Sequence, residues 1–125
     1  MNAAHPLQVF RDGCAIGELR YQRCRSCGRV QTYPRATCER CRRTTLEWLT
    51  SQRSGTLATW TTVHRAANPR FQARAPYTLA LVDMAEGFRL MMNVDADIPL
   101  TIGAAIAVDF VDDDGTMRVH GRVSR

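Results

Sequence analysis

Four of the five cysteines in this 125-residue chain lie in two C-x-x-C pairs. The pairs are Cys24 with Cys27 and Cys38 with Cys41, and residues 28–37 separate them. Zn²⁺ accepts four thiolates readily in a tetrahedral shell. A single C-x-x-C pair can serve redox chemistry, whereas two pairs at this spacing favour one metal site. The sequence therefore predicts a structural Zn²⁺ site, with reduced thiols that hold no metal as the alternative.

A shell of four thiolates leaves no open position for a substrate, so the predicted metal is structural and we expect no catalytic residue in this chain. The fifth cysteine, Cys14, is expected to be a small packing residue. Gly28 follows the first pair and suits the left-handed backbone that such a turn needs. The second pair lacks a glycine, so Arg42 or Arg43 is expected to take a strained turn.

Short elements must position these cysteines. Leu7, Phe10 and Cys14 recur at helical spacing, and Gly17 can end that helix. The gap between the cysteine pairs leaves room for one tight hairpin with Pro34 at its bend. A polar hinge is expected to follow at residues 51–55. Three short strands of a rubredoxin-like Cys₄ zinc ribbon are predicted at residues 19–24, 29–33 and 45–49.

The chain after Gly55 is rich in Thr, Val and other strand-forming residues. Turn signals at residues 85–87 and 112–115 indicate two hairpins. Five strands within this length favour a closed OB-fold barrel over a sandwich, which needs more strands. The strands are predicted at residues 55–65, 77–84, 88–95, 105–111 and 116–123. The fold class is therefore mainly β, and the expected domains are 1–18 (N-terminal helix), 19–54 (zinc ribbon) and 55–125 (OB-fold barrel).

Composition and charge narrow the function classes. Hydrophobic residues make up 45% of the chain, which is typical of a globular protein, and no apolar run is long enough to span a membrane. The N-terminus has no signal-peptide pattern, so a cytoplasmic location is expected. Residues 1–54 carry ten Arg and four acidic residues, a net charge of +6, whereas residues 55–125 carry seven Arg and eight acidic residues, a net charge of −1.

The order of parts and the wording resemble a known family. The segments FRDGCAIGELRYQRCRSCGRVQTYPRATCERC, SGTLATWTTVHR and YTLALVDMAEGFRLMMNVD follow one another in the chain. They resemble the zinc-ribbon plus OB-fold family of acyl-CoA-associated proteins, first catalogued as a domain of unknown function. The resemblance covers about residues 7–123. It implies a small accessory subunit, since family members accompany thiolases and lipid-transfer-type thiolases or aldolases that carry the catalytic residues.

Two groups of residues fit that role. The loop after the first barrel strand could contact the phosphates of an acyl-CoA through arginine, with an ordinary solvated loop as the alternative. The candidate acyl-CoA residues are His64, Arg65, Arg70 and Phe71. The helix and ribbon carry more apolar side chains than so small a module can readily bury, which favours an interface. Tyr21 belongs to this apolar set, and the candidate partner-docking residues are Leu7, Phe10, Tyr33 and Trp48.

Two other interpretations remain at this point. A single-stranded nucleic-acid binder is the alternative function, but the basic charge lies on the ribbon and the barrel is slightly acidic. An enzyme in its own right is disfavoured, because no nucleophile, base and orienting group can be recognised. His120 has no evident carboxylate partner in the sequence, and residues 112–114 are expected to form a turn. The favoured function is an accessory subunit for carbon–carbon bond cleavage or formation on an acyl-CoA.

Overall fold

The computed structural model describes residues 5–31, 33–64, 76–95, 99–113 and 115–124. Within these residues, one helix precedes eight strands. Their bounds are α1 (Pro6–Ala15), β1 (Arg20–Cys24), β2 (Val30–Gln31), β3 (Leu46–Thr50), β4 (Ser54–Val63), β5 (Tyr77–Met84), β6 (Arg89–Val94), β7 (Ala105–Asp113) and β8 (Thr116–Val123). The predicted mainly β fold is confirmed, and each predicted strand agrees with an observed one within two residues at either end.

Helix α1 begins and ends with recognisable capping residues. The backbone N–H of Leu7 donates to Nδ1 of His5, and Pro6 occupies the first turn. At the other end Gly17 has a φ of 80°, and the N–H of Glu18 donates to the carbonyl of Gly13 at 2.8 Å. The N–H of Gly17 also donates to the carbonyl of Cys14 at 3.2 Å, and these two bonds form a Schellman motif, which confirms Gly17 as the end of the helix. With ten residues, α1 is too short to cross a membrane, and the described residues contain no longer helix that could do so.

The ribbon is a three-stranded sheet with strand order β2-β1-β3. The prediction of a hairpin with Pro34 at its bend is wrong, because none of the described residues between 33 and 45 lies in a strand. Instead, this segment is held by two glutamines, Gln22 and Gln31, that are 3% and 1% exposed. The side-chain amide of Gln31 donates to the side-chain oxygen of Gln22 at 2.7 Å, and that oxygen also accepts the N–H of Arg35. Buried polar side chains therefore replace a strand as the support of this segment.

The five remaining strands close into a barrel with the order β4-β5-β6-β8-β7. β6 and β8 pair in parallel, and all other neighbours in the barrel pair antiparallel. This is the strand order of an OB-fold, with its Greek-key crossover. The two predicted hairpins are present, and Gly87 and Gly115 have positive φ angles in their turns. The predicted five-stranded OB-fold barrel is confirmed.

The ribbon and the barrel share one core. Leu19, which precedes β1, has no exposed surface and packs in the cluster formed by the barrel residues. The rings of Tyr21 and Phe88 stack with centroids 4.9 Å apart. The expected polar hinge is also fixed, because Ser51 is 5% exposed and its hydroxyl donates to Glu86 at 2.8 Å. The connection after β3 is therefore a contact between the two modules rather than a free linker.

Gly55 lies where β4 passes close to β5, and it provides a test of the barrel packing. A Cβ at this position would lie 2.6 Å from the carbonyl oxygen of Asp83 and 2.9 Å from a methyl group of Val82. We expect Gly55→Ala to lower the free energy of unfolding by about 1–3 kcal/mol, because backbone must move to admit the methyl group. Urea denaturation measures the change, with Thr59→Ala at an exposed position of β4 as the control. Equal stability of the two variants would contradict this packing.

Candidate metal centre

Two turns of the same kind present the four cysteines. In the first turn the N–H of Gly28 donates to the carbonyl of Cys24 at 2.9 Å. In the second, the N–H of Arg42 donates to the carbonyl of Cys38 at the same distance. Gly28 has a φ of 79° and Arg42 a φ of 63°. The expectation that Arg42 or Arg43 replaces a glycine in a left-handed turn is therefore confirmed for Arg42.

The four sulfur atoms converge on one point. Their Sγ atoms all lie within 4.8 Å of one another. Cys24 and Cys41 have sulfurs 3.5 Å apart, and those of Cys27 and Cys38 are 3.6 Å apart. A tetrahedral shell with metal–sulfur bonds of about 2.3 Å has sulfur–sulfur edges of about 3.8 Å. The cysteines brought together are the four predicted ligands, and their spacing fits a tetrahedral metal ion.

The electrostatics of the cluster also fit a cation. The pKa of Cys24 is lowered to about 6, mainly because the N–H of Cys27 donates to its sulfur. The N–H of Cys41 lowers the pKa of Cys38 in the same way. For Cys41, the N–H of Arg43 lowers the pKa, but burial and the three neighbouring sulfurs raise it to about 11. Four adjacent thiolates repel one another, so a cation must balance the charge before all four can ionise near neutral pH.

The donor set determines what the site can do. The described residues that could hold a metal ion form a single group, and all four of its members are cysteines. With four thiolates around one ion, no position stays open for water or substrate, so the site suits a structural role. Cys14 is 3% exposed and lies outside this cluster, as expected for a packing residue.

The two turns allow a matched test of backbone strain. A non-glycine residue in the left-handed region costs about 1–2 kcal/mol relative to a relaxed conformation. We expect Gly28→Ala to weaken metal retention by about 1 kcal/mol, and Arg42→Gly to leave it unchanged or to strengthen it slightly. Competition with a chelator measures both. Equal losses in the two variants would show that the Arg42 side chain, and not its backbone, matters to the site.

The predicted acyl-CoA residues lie on the connection between β4 and β5. His64 follows the last residue of β4 and is exposed. Arg65, Arg70 and Phe71 lie outside the described residues. This connection is the first barrel loop, and in OB-folds that loop contributes to ligand binding. The assignment of these four residues stays a prediction.

The predicted docking residues differ in their exposure. Leu7 is 39% exposed and Tyr33 is 61% exposed, so both present apolar surface to solvent. Phe10 and Trp48 are half-buried, and Phe10 packs against the barrel core. The expectation that Tyr21 belongs to the unburied apolar set is wrong, because its ring is already stacked on that of Phe88. The docking surface stays a prediction, with Leu7 and Tyr33 as its most accessible members.

One polar pair could not be recognised in the sequence. Nε2 of His120, on β8, lies 2.7 Å from Oδ1 of Asp95, so the expectation that His120 has no carboxylate partner is wrong. The two residues are far apart in the sequence and meet because β6 and β8 pair in parallel. Of the residues expected to form a turn, Asp112 and Asp113 end strand β7, and Asp114 lies outside the described residues. The N–H of Gly115 donates to the carboxylate of Asp112 at 2.8 Å, and β8 begins at Thr116, so the chain reverses direction after Asp113.

The fold and the cysteine cluster define a protein with a zinc-ribbon module joined to an OB-fold barrel. Residues 11–47 match the family model "ChsH2, rubredoxin-like zinc ribbon domain", and residues 48–111 match "ChsH2, C-terminal OB-fold domain". The chain belongs to this ChsH2 family of joined zinc-ribbon and OB-fold domains. The resemblance inferred from the sequence segments is confirmed.

Two relatives share sequence with this chain. A "DUF35 domain-containing scaffold protein" of Methanocaldococcus jannaschii is 36% identical over 78 residues, which cover 62% of this chain and 52% of the relative. A "Probable enoyl-CoA hydratase alpha subunit" of Thermomonospora curvata is 30% identical over 97 residues, which cover 74% of this chain and 29% of the relative. The chain thus spans about half of the first relative and less than a third of the second.

Two solved structures share the fold. One, described as "Ltp2-ChsH2(DUF35) aldolase", superposes with a TM-score of 0.82 at 22% identity and covers 98% of each chain. The other is a crystal structure of a protein of unknown function from the DUF35 family of Sulfolobus solfataricus, with a TM-score of 0.67 at 15% identity, covering 98% of this chain and 87% of that one. At these identities the likeness establishes the architecture of helix, ribbon and barrel.

Proposed function

We propose that this chain is a non-catalytic accessory subunit that docks on a thiolase- or aldolase-like partner and helps to bind an acyl-CoA. The partner would carry out carbon–carbon bond cleavage or formation. The observation that carries the proposal is the closed cluster of four cysteines in a fold shared, over 98% of its length, with the chain described as part of an Ltp2-ChsH2 aldolase. A closed shell of four thiolates offers a bound ion no open position for catalysis, and in this proposal the chemistry belongs to the partner.

The metal in this proposal is Zn²⁺, held by Cys24, Cys27, Cys38 and Cys41. Zn²⁺ has no geometric preference of its own and accepts the tetrahedral arrangement that these thiolates offer. The bound ion would cross-link the two turns and would supply no Lewis-acid chemistry. The chain's own contribution is the set of backbone N–H groups that donate to the sulfurs of Cys38 and Cys24. Elemental analysis should find about one zinc and no iron per chain.

The exposed apolar residues support a docking role. Leu7 and Tyr33 expose large side chains on the helix and on the ribbon, although the core of the chain buries other residues from the same segments. An interface formed by this half of the chain would bury these side chains. A relative of this chain is described as a scaffold protein, which is consistent with a subunit that binds other proteins.

The loop after β4 would contribute to the acyl-CoA site. Guanidinium groups of Arg65 and Arg70 would pair with the phosphates of CoA, and Phe71 would pack on its apolar part. We expect Arg65→Ala and Arg70→Ala each to raise the KM of the complex for the acyl-CoA about tenfold, because each removes a charge-assisted contact. Steady-state kinetics measure the effect, with Arg122→Ala as the control at an exposed arginine that pairs with Asp109 on the barrel. Unchanged KM values in both loop variants would show that this is an ordinary solvated loop with no role in binding.

One observation favours nucleic-acid binding as the second candidate. Trp60 is 36% exposed on β4, and an exposed aromatic ring on an OB-fold is the kind of residue on which bases stack. The net charge of −1 for the barrel half opposes this function, because the phosphate backbone needs a positive groove. A salt-dependent shift of single-stranded oligonucleotides by this chain, abolished by Trp60→Ala, would support the second candidate over the first.

Affinity purification tests the first candidate directly. We expect the tagged chain to retain a thiolase- or aldolase-like protein from its native source and to release it when Leu7 and Tyr33 are both replaced by aspartate. Recovery of the tagged chain without such a partner, at native expression level and physiological salt, would contradict the accessory role.

A further inference from the structure

A groove lies where two neighbouring strands of the closed barrel pair over a short length. β6 and β8 pair only at Asn93 with His120 and at Val94 with Gly121. The preceding residues of the two strands therefore diverge. Helix α1 packs against β8 at this seam, with Phe10 against the barrel core. Helix and seam together enclose a groove of about 610 Å³, which lies within the size range of small-molecule sites.

Most of the residues that line the groove are apolar, and they range from buried to exposed. Met92 and Cys14, which line it, are each 3% exposed, whereas Met91 is 53% exposed. Leu7 is a further exposed lining residue, so the groove runs from an open rim to a buried floor. Three of the five methionines of the chain, Met91, Met92 and Met117, line it. Methionine side chains are flexible and adapt to ligands of irregular apolar shape. A groove lined by methionines therefore suits a flexible alkyl chain.

The polar residues of the groove favour a negative charge. Arg11 of α1 and Arg118 of β8 line it, and no carboxylate is among its described lining residues. Arg118 forms an ion pair of 2.7 Å with Asp113, the last residue of β7. Within the part of the chain that the structure describes, Arg11 forms no ion pair, so its guanidinium is the group that would attract an anionic ligand. The groove also includes outward-facing residues of β5 and β6, Leu79 and Met91, and in OB-folds the face of these two strands is the usual binding face.

We propose that this groove binds a linear aliphatic carboxylate. The alkyl chain would lie between the methionines and the helix residue Phe10. The carboxylate would lie at the rim beside Arg11, because Arg118 is already paired with Asp113. Leu7 and Phe10 also belong to the predicted docking set, so the groove borders that surface, whereas its three methionines lie outside it. Binding is tested on the isolated chain and needs neither a partner nor the predicted acyl-CoA loop.

Dodecanoate serves as the probe, and the methionine methyl groups serve as the reporters. The full-length, metal-loaded chain is labelled with ¹³C at the methionine methyl groups and titrated below the concentration at which dodecanoate forms micelles. We expect saturable shifts of the Met91, Met92 and Met117 signals, with a Kd of about 0.1 mM. Met84 is buried in the barrel core and does not line the groove, so its signal should not move.

Two variants and a second amphiphile test the assignment. Met91→Asp places a carboxylate in the groove at an exposed position and should weaken binding about tenfold or more, because it repels the ligand head group. Ile102→Asp makes the same change at a 73% exposed residue outside the groove and should have no effect. Arg11→Gln should weaken dodecanoate about threefold or more and leave dodecanol unchanged. Dodecyltrimethylammonium, a cationic amphiphile of equal chain length, should bind more weakly than dodecanoate.

Absence of saturable shifts at the methionines of the groove would overturn the proposal. A shift of the Met84 signal equal to theirs would also overturn it. Equal affinity for the anionic and cationic amphiphiles would remove the role of Arg11. Undiminished binding by both Met91→Asp and Arg11→Gln would place the ligand elsewhere. None of these results bears on docking of a catalytic partner, which is tested by affinity purification and by activity.

Discussion

Replacing Cys24 or Cys38 with serine is expected to remove the metal from the chain and to unfold the ribbon. The four sulfurs lie within 4.8 Å of one another, so each contributes one corner of the same shell. Structural zinc contributes about 10–16 kcal/mol of binding free energy in small modules, which exceeds what the ribbon can gain from its own packing. Metal content should fall from about one ion per chain to nearly none. Elemental analysis and NMR spectra of the ribbon residues measure both effects.

The barrel provides the internal comparison in these variants. Most residues of the core cluster belong to the barrel strands, so the barrel signals should persist when the ribbon signals collapse. Loss of the contact between Tyr21 and Phe88 should lower the free energy of unfolding of the barrel by about 1 kcal/mol. Cys14→Ala is the matched control, because it removes a buried thiol outside the cluster and should retain the metal. Full metal content in both serine variants would refute the ligand assignment.

Replacing Leu7 and Tyr33 together with aspartate is expected to prevent docking on the catalytic partner. Both side chains are substantially exposed in the isolated chain, so the substitutions should leave its fold intact. Truncating a hot-spot residue of an interface costs about 2 kcal/mol or more, and a buried carboxylate adds a desolvation penalty. Affinity for the partner should therefore fall about 30-fold or more. Titration calorimetry with the purified partner measures the change.

The control for docking is Ile102→Asp. Ile102 is 73% exposed between β6 and β7, and the substitution adds the same charge at a position that the docking hypothesis does not include. It should leave partner affinity unchanged. If Ile102→Asp weakens docking as much as the double variant does, the interface lies on the barrel and the helix-and-ribbon assignment fails.

Much of this fold could be predicted because local signals and global architecture agree. The glycine at position 17, the alternation along the barrel strands and the two cysteine pairs each specify structure within a few residues. The strain at Arg42 could also be anticipated, because the first turn shows that the same position needs a left-handed backbone, and Arg42 has a φ of 63°.

The features that escaped prediction all depend on contacts between distant segments. Gln22 and Gln31 read as ordinary polar residues in short strands, yet their side chains are buried and hold the backbone of Arg35 and Glu39. The pair of His120 and Asp95 arises from the parallel pairing of two strands that no local pattern specifies. The groove beneath α1 exists because that pairing is short. Such features follow from tertiary packing and carry no periodic signal in the sequence.

The proposed accessory role is tested most directly by the rate of acyl-CoA cleavage or condensation by the purified partner as this chain is added. We expect no turnover by this chain alone, a low rate for the partner alone, and a rise that saturates at a fixed ratio of the two proteins. A partner that is fully active by itself, or thioester turnover by this chain without it, would contradict the proposal that this chain supports a reaction performed by another subunit.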